Sequence, residues 1–368
     1  MVTCYICGCE LTKDNASEEH IFLNAIGGRL KSKRLLCKQC NSDFGNDIDE
    51  EMAKQFNCFA NMLNIKRDRG EPQAFDVIDS IDGTVYSYEP GGIPVMKVPI
   101  IDKKDAEKQI HYTIITPNIK EGRKVLKGLK RKYPEIDVEK ALQKAVTQRS
   151  YIDHAVKIPI QLGSPEVFRS LCKTAINFYM LNCDDSKNIK HLIPYIKGEI
   201  DVKCVAPFYK EQHIAKKDSE ILHSIILKGD ANEKILFAYI EIFDFYKVVI
   251  LLNADYQGKD FESSYFYNVL TCKEVKPSYQ LNIARSDIET AMNSTMPFEK
   301  MLCHLRMFMD KALEKQDSEQ RSRLLDTAVS NVLKAFPDKK VFDREFCEAL
   351  VNEIMKQITP WLLHTIKK

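Results

Sequence analysis

Apolar positions recur along the chain with helical and strand periods, and each run predicts an element. Val167, Phe168, Leu171, Ala175 and Phe178 return at helical spacing behind Ser164-Pro165-Glu166, where Ser caps and Pro takes the first helical position. Residues 221 to 252 read as three antiparallel strands, with Gly229-Asp230-Ala231-Asn232 between the first two and a tight Phe243-Asp244 turn before the last. Ile110 to Thr116 and Ile158 to Leu162 read as further strands. Val125, Leu126 and Leu129 give an inner helical face to a segment whose Lys120, Arg123, Lys124, Lys127, Lys130, Arg131 and Lys132 face outward. From about residue 284 the pattern is helical to the end, with Met301, Leu302, Leu305, Phe308, Met309, Ala312 and Leu313 in one stripe. Such a stripe is usually core; its methionines also suit a homo-oligomer or a regulatory partner on these C-terminal helices.

After Ile65-Lys66-Arg67-Asp68-Arg69-Gly70-Glu71-Pro72 the texture shifts to Gly, Pro and β-branched residues, as in Asp82-Gly83-Thr84-Val85, which sets a boundary near 67 to 73. The expected class is α+β: an N-terminal domain over 1–68, a mixed α+β middle domain over 73–280 and a helical C-terminal region over 281–368. No apolar run approaches the roughly 18 residues that span a bilayer, and the greasiest strand, Val248 to Leu252, is short. Met-Val-Thr-Cys has no charged flank followed by an apolar stretch, so a soluble, cytoplasmic and reducing setting is expected.

Composition narrows the function by exclusion. Against 52 Asp plus Glu stand 54 Lys plus Arg, a net charge of +2, so a nucleic-acid surface has to be local. Neither G-x-x-x-x-G-K-[ST] nor G-x-G-x-x-G occurs, which leaves energy-coupled and dinucleotide chemistry without support. The sharpest signal lies in the 12 cysteines: four of them form two C-x-x-C pairs, Cys4/Cys7 and Cys37/Cys40. Two intervening residues let a tight turn aim both thiolates at one tetrahedral ion, so the two knuckles predict a structural Cys4 zinc site. The 29 residues from 8 to 36 exceed the span of a simple zinc ribbon, so the clip carries structure of its own. Cys9, two residues past Cys7, is read as a decoy ligand; Cys58, Cys172, Cys183, Cys204, Cys272, Cys303 and Cys347 are expected to be small core residues.

Inside the clip lies Glu18-Glu19-His20-Ile21-Phe22-Leu23-Asn24-Ala25-Ile26-Gly27-Gly28, and directly after Cys40 comes Asn41-Ser42-Asp43-Phe44-Gly45-Asn46-Asp47-Ile48-Asp49. This order of C-x-x-C, E-H-I, G-G and L-C-x-x-C-N-x-x-F-G-x-x-I-D resembles the HNH endonucleases of the ββα-metal kind, in the branch with a Cys4 zinc clip. The resemblance covers residues 1 to 66 or so, less than a fifth of the chain. It implies a metal-dependent nuclease acting on DNA, with the acidic residue before the His and the Asn after the last Cys as metal ligands, and the His as base.

The chemistry asks for those residue types. Hydrolysis of a phosphodiester needs a deprotonated water and charge relief on the phosphate. A neutral imidazole takes a proton at neutral pH, so His20 is the candidate general base. Glu19 and Asn41 suit Mg²⁺ or Mn²⁺, hard ions satisfied by one or two protein oxygens plus water and phosphate. The family's middle Asn is missing: that stretch reads Lys31-Ser32-Lys33-Arg34, so Ser32, Arg34 or Asn24 has to brace the loop instead. Asp49 is expected to order the helix starting near Asp47, with support of the metal shell as the alternative.

Arg29, Lys31, Lys33, Arg34 and Lys38 fall beside this site, Lys66, Arg67 and Arg69 follow the next helix, and Arg123, Lys127 and Lys130 belong to the basic helix. All are candidate backbone-phosphate contacts, with a plain solvated surface as the alternative. Asp153-His154 repeats the acid-His dipeptide by chance, and His111, His191, His213, His223, His304 and His364 are assigned no role. The leading expectation is therefore a DNA endonuclease, by analogy one of bacterial antiphage defence. Its rivals are a nuclease acting on RNA and a non-catalytic zinc module that binds nucleic acid or protein.

Overall fold

The computed structural model describes residues 2–106, 109–147, 150–183, 185–337 and 342–367. Along the chain run β1 (Glu19–His20), β2 (Lys31–Ser32), α1 (Lys38–Gly45), α2 (Ile48–Met62), β3 (Phe75–Asp79), β4 (Val85–Glu89), β5 (Ile93–Met96), β6 (Ile100–Ala106), β7 (Gln109–Ile115), α3 (Ile119–Lys132), α4 (Val138–Gln143) and β8 (Val156–Lys157). There follow α5 (Pro165–Cys183), α6 (Ile193–Ile196), β9 (Val205–Pro207), β10 (Leu222–Asp230), β11 (Ile235–Ile242), β12 (Tyr246–Asn253), β13 (Phe261–Asn268), β14 (Lys273–Glu274), α7 (Arg285–Asn293), α8 (Phe298–Ala335) and α9 (Arg344–Lys367). The class is mixed α+β with a helical C-terminus, as the patterning predicts.

The chain divides into two compact units, each built from separated segments: Met1–Gln73 with Ile160–Leu313, and Ala74–Pro159 with Glu314–Lys368. The linear division into 1–68, 73–280 and 281–368 therefore does not describe the packing. Its middle segment is shared between both units, because residues 160–280 build their core with the N-terminal head rather than with residues 74–159.

In the first unit six antiparallel strands lie in the order β14-β13-β10-β11-β12-β9. Every residue of β11 is buried, so this sheet is covered on both faces. One face packs Ile226, Phe237, Tyr239, Val249 and Phe266 against Ile288 and Met292 of α7. The other meets the head. Phe56 and Phe59 of α2 join Phe243, Phe245, Tyr246 and Phe308 in one ring cluster, with Phe59 and Phe245 centroids 4.7 Å apart. Each such ring withdraws well over 100 Å² from water, worth about 2–3 kcal/mol.

Helix α5 starts where the sequence places it: Ser164 Oγ accepts from the Val167 amide at 3.4 Å, and Val167, Leu171, Ala175 and Phe178 are buried. The strand expected at 158–162 does not form. Only Val156–Lys157 pairs with β3, and Pro159, which has no amide hydrogen to donate, follows at once.

The second unit holds a four-stranded antiparallel sheet, β5-β4-β3-β8, a β6–β7 hairpin, and α3 packed on α4. The basic segment is helical as expected, capped by the Asn118 side chain, which accepts from the Glu121 amide at 2.9 Å. Among the described residues no helix is long and apolar enough to cross a membrane.

Candidate active site in the N-terminal head

The head is built around the two cysteine knuckles. The first turns back on itself through Cys4 N–H to Cys9 O and Gly8 N–H to Cys4 O, both 2.8 Å, with Gly8 at φ 75°, a left-handed conformation suited to glycine. The second opens α1: Cys37 is its N-cap and Cys40 lies in its first turn. The four Sγ atoms lie within 4.8 Å of one another, and Cys7 and Cys37 are 3.8 Å apart. Zinc–sulfur bonds of 2.3 Å span a tetrahedral edge of about 3.8 Å, so the thiols fit Zn²⁺. Cys9 stands outside this set. Of the other cysteines Cys58, Cys172 and Cys204 are buried as expected, but Cys303 and Cys347 are exposed and Cys183 and Cys272 half-exposed; their helix or loop positions face outward.

Between the knuckles β1 and β2 form a short antiparallel ladder, Glu19 opposite Ser32 and His20 opposite Lys31. The link between them is fixed by Gly27 and Gly28. A Cβ on Gly27, at φ 93°, would collide with the Ile65 methyl, and one on Gly28 with the Phe22 carbonyl. Adjacent strand residues point to opposite sides, and that alternation separates the two central residues.

Glu19 points inward and is 4% exposed. Its Oε1 accepts from Lys173 Nζ at 2.5 Å and from Asn177 Nδ2 at 2.9 Å, both on α5. Lys173 Nζ also donates to Asp49 Oδ2 at 2.6 Å, Ser170 Oγ donates to Asp49 Oδ1 at 2.8 Å, and Tyr5 Oη donates to Asn177 Oδ1 at 2.6 Å. Burial alone would lower the pKa of the Lys173 ammonium, but the charges of Asp49 and Glu19 outweigh it and raise it. Asp49 lies in the first turn of α2, whose N-cap is Asp47, and its carboxylate is held by Lys173 and Ser170.

His20 points the other way. Its Nε2 lies 3.1 Å from Asp68 Oδ2, and Asp68 is also paired with Arg29 and, at 3.4 Å, with Lys31. The side chains of His20 and Asp68 are 21% and 28% exposed. Burial lowers the His20 pKa below its ordinary value, against the opposing charge of Glu19, and so favours the neutral ring. Asn24 Oδ1 accepts from the Asp68 amide at 2.8 Å, tying residues 66–68 to the hairpin link. Asn41 donates from Nδ2 to Ser17 Oγ at 2.6 Å.

Thus the structure gathers the four cysteines. It sets His20 and Glu19 on opposite faces of β1, and ties Asn41, on α1, to Ser17 just before that strand. Mg²⁺ or Mn²⁺ on Glu19 does not fit this arrangement: the carboxylate is buried and already satisfied by an ammonium and an amide. Of the basic residues, Arg29 and Lys31 flank His20, Lys33, Arg34, Lys38, Lys66 and Arg69 are exposed, and Arg67 instead turns toward α2, with Nη2 on Asn57 Oδ1 at 3.5 Å. Lys127 and Lys130 are exposed on α3, whereas Arg123 is paired with Glu139.

Three residues escaped the sequence reading. Asp68 was visible as the one acid in Lys66-Arg67-Asp68-Arg69, and Lys173 as the middle of a polar helical stripe, Ser170, Lys173, Asn177. His223 is fully buried on β10, accepts from the Phe243 amide at Nδ1 (3.2 Å), donates from Nε2 to Ile26 O (2.9 Å) and stacks on Phe22.

Residues 4–57 match the HNH endonuclease family. No curated protein and no solved structure gives a significant match. With its two cysteine knuckles, its two-stranded ladder and the helices that follow in place, the segment from Cys4 to Asn57 is similar to the HNH endonucleases.

Proposed function

We propose that this protein hydrolyses phosphodiester bonds of nucleic acid, with DNA as substrate and His20 as general base. The observation that carries the reading is the His20–Asp68 pair flanked by Arg29 and Lys31 on an accessible edge of the HNH head. A carboxylate hydrogen-bonded to one ring nitrogen leaves the other free to take a proton from water, and two cations beside it meet a phosphate. Asp68 acts here as a positioning residue. The lysines of α3, Lys127 and Lys130, are proposed as backbone contacts.

The test is incubation of the full chain with plasmid DNA and with labelled RNA, each with and without EDTA. DNA is cut by the wild type and not by His20→Ala, while zinc content and fold are unchanged. Full activity in His20→Ala overturns the mechanism, and cutting of RNA alone overturns the substrate.

A second reading is favoured by one observation, the Lys173 ammonium seated on Glu19. In it the head is a zinc module that binds nucleic acid without cutting. It predicts binding indifferent to Mg²⁺ or Mn²⁺ and no cut product in either tube. A role in antiphage defence follows only by analogy, and plaque counts with wild type and His20→Ala test it.

A further inference from the structure

A cavity of about 340 Å³ opens in the first unit between the Phe243-Asp244 turn and the first turns of α8. That volume lies within the range of small-molecule sites. Three lysines converge on it. Lys216 Nζ pairs with Glu241 and, at 2.8 Å, with Asp244 Oδ1. Lys247, 1% exposed, donates to Gln212 Oε1 at 3.2 Å and stands 3.5 Å from Glu241 Oε1. Lys311 donates to the Glu220 carbonyl at 2.9 Å and stands 4.0 Å from Asp244 Oδ2.

The lining carries four lysines, Lys216, Lys217, Lys247 and Lys311, against two carboxylates, Asp218 and Asp244. Glu241 stands behind them against Lys216 and Lys247. Asp244 Oδ2 is buried with no hydrogen bond among the described residues, so an acceptor also lacks its donor. A buried acceptor without a donor is costly. A ligand that carries a donor beside an anionic group relieves it and meets the lysines. The opposite wall, Phe243, Met307 and Phe308, is apolar.

We propose that this cavity binds a small organic anion: a phosphate or carboxylate group against Lys216, Lys247 and Lys311, an N–H or O–H donor on Asp244 Oδ2, and an apolar ring or chain against Phe243 and Phe308. The proposal does not rest on the nuclease reading, since binding is measurable whether or not nucleic acid is cut.

The test is calorimetric titration of the full chain with AMP, citrate, inorganic phosphate and neutral adenosine. AMP or citrate is expected to bind saturably at one site per chain, and adenosine is not. Lys311→Gln, at the partly exposed rim, weakens that binding about tenfold or more. Lys300→Gln, on the same helix outside the cavity, leaves it unchanged. Absence of saturable binding by both organic anions, or equal affinity in Lys311→Gln, overturns the site. Inorganic phosphate binding as tightly as AMP overturns the organic part of the ligand.

Discussion

Lys173 Nζ sits 2.5 Å from Glu19 Oε1 with both side chains buried, so an ammonium from α5 occupies the carboxylate that the sequence reading offers to a divalent cation. Replacing Lys173 by Met leaves Glu19 and Asp49 as uncompensated buried carboxylates and is expected to cost about 3–5 kcal/mol. Mn²⁺ should return part of that loss in the variant while leaving the wild type unmoved. Denaturant unfolding with and without Mn²⁺ measures both, and equal unfolding of the two proteins would remove Lys173 from its assigned place.

Zinc removal should act on folding before it acts on function. One zinc per chain is expected by elemental analysis. Cys40→Ser should lose both the ion and a large part of the roughly 10 kcal/mol that a structural zinc site contributes. Retention of zinc and stability in that variant would refute the Cys4 clip.

Asp68→Asn separates positioning from binding. It keeps the size of the side chain but weakens its hold on the His20 ring, and should lower kcat about tenfold or more. It also releases Arg29 from its ion pair while Lys31 keeps Glu18 at 2.8 Å, so KM for nucleic acid should not rise. A raised KM with unchanged kcat would make Asp68 a substrate contact instead.

His223 gives a pH signature. Burial lowers its pKa to about 4, against about 6.5 in an unfolded chain. Between those values the unfolded state takes up a proton that the folded state refuses, so stability falls as pH drops. The loss attributable to His223 is about 2 kcal/mol at about pH 5. The difference between wild type and His223→Gln in urea unfolding should therefore shrink on acidification from neutrality, and a constant difference would exclude a neutral buried imidazole.

Much of the head was legible because its signals are short-range: two C-x-x-C turns, a Gly-Gly link and an Asn directly after the last cysteine all act within a few residues. The strands 222–253 were legible for a similar reason, since each is a continuous apolar run ended by a turn. What stayed hidden was pairing across long stretches of chain. Weighing only the apolar stripe of α5 gave its core face and passed over Ser170, Lys173 and Asn177, which fill the head. The Ile158-Pro159-Ile160 run has strand composition, but its proline breaks the ladder. The interleaving of the two units leaves no mark in composition, because it is set by which surfaces meet after collapse.

The ties from Glu19 to Lys173 and from Ile26 to His223 bridge 154 and 197 positions. During synthesis the first seventy residues therefore emerge long before the groups that complete their interior. Until the ribosome has passed residue 223, the nascent head exposes Phe22, Ile26 and an unneutralised Glu19. Truncation after residue 73 should likewise yield an insoluble fragment rather than a working module. The order of translation thus withholds the finished head until the chain has grown past residue 223.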